Sequence, residues 1–211
     1  MTRIVVYAGA IAVIGAGLVS QGATATPALP FYDSADLTPR WTQSSNHNIA
    51  DFSLFTQSGA PVTRADLIGR VHVASFIFTR CAGICPAMVS QLSKVQAVIA
   101  GRNAMLVSYS VTPQEDTPES LAAFGKLRGI DPQQWKLVTG DAEQIYELAR
   151  TSYFADDGRL EPGRAASEQF LHTEKALLVD SEGRLRGVYN ATLSHDIEKL
   201  IADLDQLLDR D

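Results

Sequence analysis

The chain has 211 residues, enough for one domain with a substantial core. Its 45% hydrophobic and 20% charged residues fit a soluble globular body. A net charge of -6 excludes the basic footprint of a nucleic-acid binder, and two cysteines exclude a disulfide-rich scaffold.

The N-terminus speaks to compartment. Met1-Thr2-Arg3 carries one positive charge, IVVYAGAIAVIGAGLV (4–19) is uncharged and apolar, and Ala23-Thr24-Ala25 fits a small-x-small cleavage site. This is the pattern of a cleaved secretory signal. An uncleaved membrane anchor is the other reading, since the run is somewhat short of the about 20 apolar residues of a span. No cysteine sits at the signal end, which excludes lipoprotein attachment. Either reading exports the rest, into the periplasm or facing it from the membrane. The expected organisation is a signal or anchor over 1–25, an extended linker over 26–48, and a folded domain over 49–211.

The linker, rich in proline and turn formers, is expected to pack through Phe31, Tyr32 and Trp41. DFSLFTQSGAPVT (51–63) alternates around Ser58-Gly59 and predicts a hairpin. RADLIGR (64–70) predicts a helical turn. VHVASFIF (71–78) and AMLVSYSV (104–111) are nearly continuous apolar runs, as in strands buried on both faces. Between them, Met88, Leu92, Val95, Val98 and Ile99 recur at helical spacing before Gly101. Thr117 as N-cap, Pro118 behind it and Gly129 at the end bracket a second helix. WKLVTG (135–140) reads as a strand, and DAEQIYELARTSY (141–153) as a helix capped by Asp141. A polar loop follows, then a hairpin over 175–190 across Ser181-Glu182-Gly183, then a closing helix over 194–209. This order predicts an α/β sandwich of thioredoxin-like type: a central mixed sheet, flanking helices and an N-terminal hairpin extension.

Both cysteines lie in FIFTRCAGICPAM (76–88), between the first core strand and the first long helix. Pro86 directly after Cys85 puts that sulfur near the helix start, where the dipole and free amides favour a thiolate. A disulfide across so few residues gains little loop entropy, so a purely structural bridge is the weaker reading. Redox exchange and metal ligation both remain. A thioredoxin-type redox site has CxxC, one residue shorter. Two thiolates can hold Cu(I), and a histidine or methionine would complete a trigonal site. Of the four histidines, His72 lies inside a strand, His47 in the linker with a solvated ring expected, and His195 at the start of the last helix. His172 stands directly before the hairpin strand, in a loop that approaches the cysteine loop in such a fold.

FTRCAGICPAM, SYSVTPQEDTPESL, KLVTGDAEQIYELARTSYF and FLHTEKALLVDSEGRLRGVYNATL resemble the Sco (SCO/SenC) family of copper-binding, thioredoxin-like proteins, from about Leu29 to Leu208. The resemblance implies one copper on Cys81, Cys85 and His172, held as Cu(I) with Cu(II) left open. It also implies delivery to the CuA centre of cytochrome c oxidase subunit II, or reduction of that centre's cysteines, in an exported or membrane-tethered protein. The chain departs from many members at three positions. Ala82-Gly83-Ile84 carries no acid between the cysteines, Leu171 replaces an aspartate before the histidine, and Val111-Thr112-Pro113 replaces VDP.

The expected function is therefore that of a copper metallochaperone. The alternative is an exported thiol-disulfide oxidoreductase in which Cys81 and Cys85 are the redox pair, with Cys81 the more exposed, attacking thiol. A peroxidase would need glutamine and tryptophan around the thiol, and Trp41 and Trp135 lie in segments not obviously near it. Expected partners are oxidase subunit II or another exported cuproprotein and a thiol reductant. Nothing in the sequence opposes a monomer.

Overall fold

The computed structural model describes residues 28–43, 46–81, 83–156 and 173–209. The expected signal or anchor, His172 and nearly all of the polar loop ahead of it lie outside the described residues. Among the described residues no helix is long and apolar enough to cross a membrane.

Seven strands form one mixed sheet: β1 (Ser53–Thr56), β2 (Pro61–Thr63), β3 (Val71–Ile77), β4 (Ala104–Ser110), β5 (Trp135–Thr139), β6 (Lys175–Val179) and β7 (Leu185–Asn190). Their spatial order is β2-β1-β5-β4-β3-β6-β7. β3, β4 and β5 are parallel, while β1 and β6 join antiparallel at either side. Every residue of β3 and β4 is buried, because helices and loops cover both faces of the sheet centre. The helices are α1 (Ile84–Ile99), α2 (Pro118–Arg128), α3 (Ala142–Glu147) and α4 (Ser194–Leu208). This is the expected thioredoxin-like architecture with its N-terminal hairpin.

The helix ends follow from local chemistry. At α2, the Thr117 hydroxyl accepts from the Ser120 amide, and Pro118 occupies the first turn, where its missing N–H costs nothing. Gly129 closes it at φ 68°, a left-handed conformation that favours glycine. α1 buries Cys85, Met88, Val89, Leu92, Val95 and Ile99 as one stripe against the sheet. Each such aliphatic side chain contributes roughly 1.5–3 kcal/mol by leaving water.

Three expectations change. The helix expected over 141–153 is α-helical only to Glu147, then widens into a π-turn over Leu148–Ser152. The Tyr153 amide donates to Leu148 O, five residues back. The widened turn accompanies burial of Tyr153, whose hydroxyl lies 3.0 Å from that of Tyr109 and 3.3 Å from His72 Nε2. His47 is not simply solvated: its Nε2 lies 2.9 Å from Ser152 O, and its ring stacks on Phe154. Trp41 stays 64% exposed rather than packing. The linker is instead fastened by Leu29, which is buried, and by Arg186, whose guanidinium donates to Leu29 O, Pro30 O and Asp180 and lies over the Phe31 ring.

Candidate metal centre

The sheet fixes where the cysteines stand. β3 ends at Ile77, and the chain turns through Phe78–Cys81, closed by the Cys81 amide donating to Phe78 O at 3.3 Å. α1 then starts at Ile84, so Cys85 occupies its second position and Cys81 lies before it. Both thiols are free: Cys81 is half-buried, while Cys85 is only 4% exposed.

The two sulfurs sit in opposite environments. Burial acts to raise the Cys81 pKa, but donors outweigh it: the Cys85 amide, the Cys85 thiol, and the Gly83 and Ile84 amides. The result is a lowered pKa. The Cys85 N–H reaches the Cys81 sulfur at 3.4 Å. Cys85 is pushed up to about 12, chiefly by burial, with the neighbouring Cys81 sulfur and Asp116 charge adding to it and the Phe78 amide opposing. The helix start thus favours a thiolate, but at Cys81 rather than at Cys85 as the sequence position implied. The free amides of the first turn point back at the preceding sulfur, while Cys85 turns into the core.

Beneath the pair lies a carboxylate that motif reading missed. Asp116 is 1% exposed and gathers donors from both neighbouring loops. Its partners are the Thr79 amide at 3.1 Å, the Thr79 hydroxyl, the Ser110 hydroxyl at 2.6 Å and the Thr112 hydroxyl at 3.1 Å. The available signal was an aspartate immediately before a capped helix; its partners are up to 37 residues away in sequence. Arg80 and Glu115 form an exposed ion pair at the rim, 3.1 Å apart.

β6 runs antiparallel to β3, so it begins at the sheet pole where β3 finishes. Thr173, buried, and Lys175 therefore lie at the pole that carries the cysteines, with Lys175 Nζ donating to Phe154 O and Ala155 O. The other histidines stand apart from the pair. His72 is buried within β3, His47 packs on Phe154, and His195 is exposed beside Asp196 at the start of α4. Among the described residues no group of three histidine, cysteine or carboxylate side chains is assembled for a metal. What the described residues offer is two soft sulfur donors within hydrogen-bonding reach of each other. That donor set fits a monovalent copper ion and lacks the closed four-ligand shell of structural zinc.

Comparison with known proteins points one way. The sequence model of the SCO1/SenC family matches residues 41–209. The SCO1 protein homolog of Bacillus subtilis is 28% identical over 162 residues, covering 75% of this chain and 82% of that protein. The structure of BsSco, described as having a disulfide switch and as a member of the Sco family of cytochrome c oxidase assembly proteins, is 25% identical. It superposes with a TM-score of 0.65, covering 81% of this chain and 98% of that one. Bradyrhizobium japonicum ScoI, solved with copper bound, is 26% identical with a TM-score of 0.60, covering 77% and 99%.

Proposed function

The chain belongs to the SCO1/SenC family, and on that premise we propose that it is an exported copper metallochaperone holding one Cu(I) between Cys81, Cys85 and His172. The observation that carries the reading is the thiol pair itself. Two free sulfurs share one pole of the sheet, one stabilised by amides and one buried against the core. Two thiolates with a neutral imidazole around Cu(I) carry a net charge of about -1. Cys81 supplies a ready thiolate. Cys85 keeps its proton until a cation replaces it, which couples loading to proton release. His172 is retained as third donor because Thr173, next in the chain, begins the approach to β6 at the same pole. Three ligands leave one side open, so cargo passes by ligand exchange to an incoming donor. The recipient in this reading is the CuA centre of oxidase subunit II or another exported cuproprotein. Residues 1–25 act as signal or anchor, and the domain from 49 onward works as a monomer.

The test is copper stoichiometry and Cu(I) affinity of the reduced full-length chain, for wild type and His172→Ala in parallel. One tightly held copper, weakened at least about tenfold by the substitution, is expected. Unchanged affinity in His172→Ala refutes the three-ligand site.

The unequal thiols favour a second reading, a thiol-disulfide oxidoreductase. Cys81 as thiolate attacks a sulfur of the partner's disulfide, forming a mixed disulfide and releasing one partner thiolate. Cys85 then loses its proton and attacks the Cys81 sulfur. This frees the partner's second thiol and leaves Cys81–Cys85 oxidised by two electrons. No tight copper with a readily cycled disulfide would favour this role.

A further inference from the structure

Asp116 is a buried carboxylate with no cation among its hydrogen-bond partners in the described residues, in a molecule where the proposed chemistry assigns it nothing. Leaving water costs a carboxylate several kcal/mol unless donors replace the lost hydration. Here four donors do so, and each comes from the end of a strand at the thiol pole. Ser110 is the last residue of β4, Thr112 opens the following turn, and Thr79 stands two residues beyond β3 and two before Cys81. The Asp116 amide itself donates to Thr112 O at 2.9 Å, so the acceptor is rigidly mounted. Immediately below, Val111 N–H donates to Ile77 O at 2.9 Å, tying the same two chain segments together.

The position of Thr79 gives this network its meaning. Adjacent amides of one turn point to different acceptors: Phe78 N–H meets the Cys85 sulfur, while Thr79 N–H meets Asp116. The Phe78 carbonyl in turn receives the Cys81 amide. Fixing Thr79 through both its amide and its hydroxyl therefore fixes the turn that touches one sulfur and carries the other.

We propose that Asp116 is the positioning residue of the thiol pair, its carboxylate holding the Phe78–Cys81 turn in the shape that keeps Cys81 and Cys85 on one side at bonding range. The inference rests on these thiols being the working site and holds for copper binding and for disulfide exchange alike.

The test uses the full-length chain as wild type, Asp116→Asn, Thr79→Val, the double variant and Thr79→Ser. The primary readout is the equilibrium constant of the Cys81–Cys85 disulfide in glutathione buffers, read by thiol trapping and mass spectrometry. Loosened positioning lowers the effective concentration of one thiol at the other. Asp116→Asn and Thr79→Val are each expected to shift the equilibrium about tenfold toward the dithiol. The double variant should shift it by clearly less than the product of the two single shifts, because both weaken the same link. Thr79→Ser, which keeps the hydroxyl, should behave as wild type. Cu(I) affinity, by competition with a chromophoric chelator, should fall in the same order. Thermal midpoints are recorded alongside. A disulfide equilibrium within about twofold of wild type in both single variants, with only the midpoint lowered, overturns the proposal. Should Asp116→Asn fail to fold, Thr79→Val decides alone. A wild type without tight copper would defeat the metallochaperone reading while leaving the disulfide readout to judge Asp116.

Discussion

Cys81 should be alkylated long before Cys85. The perturbation is a brief pulse of limiting iodoacetamide on the reduced, copper-free chain at pH 8. Cys81 lies below the ordinary 9.0 of a thiol, so more than about 9% of it is thiolate at that pH. Cys85, at about 12, is about 0.01% thiolate. The populations differ by about three powers of ten. The more basic thiolate is the better nucleophile, which returns about 1.2–1.5 powers of ten at a Brønsted slope of 0.4–0.5. The net preference for Cys81 is then about 30- to 60-fold, and burial of Cys85 in the core widens it further. Peptide mapping by mass spectrometry reads the ratio directly. The single variants separate the rates: Cys85→Ser should react rapidly and Cys81→Ser slowly, since burial remains the main influence on Cys85 once its neighbour is gone. Equal labelling, or labelling at Cys85 first, would refute the claim that first-turn amides serve Cys81.

Two further outcomes are expected. His72 is held neutral by burial, at about 4 against 6.5 in the open chain. Below pH 6.5 the unfolded chain binds a proton that the folded one refuses, so stability declines as pH falls from 6.5 to 4, by about 3 kcal/mol in all. Below that window both states are protonated and this contribution is flat. Denaturant titrations of wild type and His72→Gln should show the variant with the shallower slope across the window, and parallel slopes would exclude His72. Arg186→Ala removes the fastening of Leu29 and Pro30 and half of the cover over Asp180, which keeps Arg184 at 2.8 Å. Breaking a buried pair outright costs about 3–5 kcal/mol, so with Arg184 remaining the expected loss is about 2–4 kcal/mol, with faster proteolysis near Arg40. A loss under about 1 kcal/mol would show that the strap is not held there.

The sheet and its helices were legible because their signals are local. β3 and β4 are uninterrupted apolar runs, and Thr117, Pro118 and Gly129 mark the ends of α2 in sequence as they do in space. The cysteine loop was legible for the same reason. What escaped depends on partners far apart in the chain. The widening after Glu147 accompanies a tyrosine hydroxyl finding Tyr109, a residue on another strand. His47 docks 105 residues away in sequence, which no linker composition announces. The Asp116 site is assembled by the ends of two strands meeting side by side, and in sequence it is only an aspartate before a helix. The ordering of the two thiols was inverted for a subtler reason. Proximity to a helix start says that amides are free, but which sulfur they face is set by side-chain direction.

The fastening of Leu29 and Pro30 at Arg186 has a consequence for handling this molecule. β7 begins beside that fastening, and it runs parallel to β3, so residues 28–32 lie at the pole remote from Cys81. α4 starts at the thiol pole, where Ser194 meets Gln91 of α1, and ends on the remote side, where Leu207 packs in the core with Leu29. Both ends of the described chain thus leave from one side, like two leads from the base of a probe whose tip is the thiol loop. A surface linkage, fluorophore or purification handle placed at either end leaves the thiol loop on the opposite side, with the half-buried Cys81 within reach of whatever approaches.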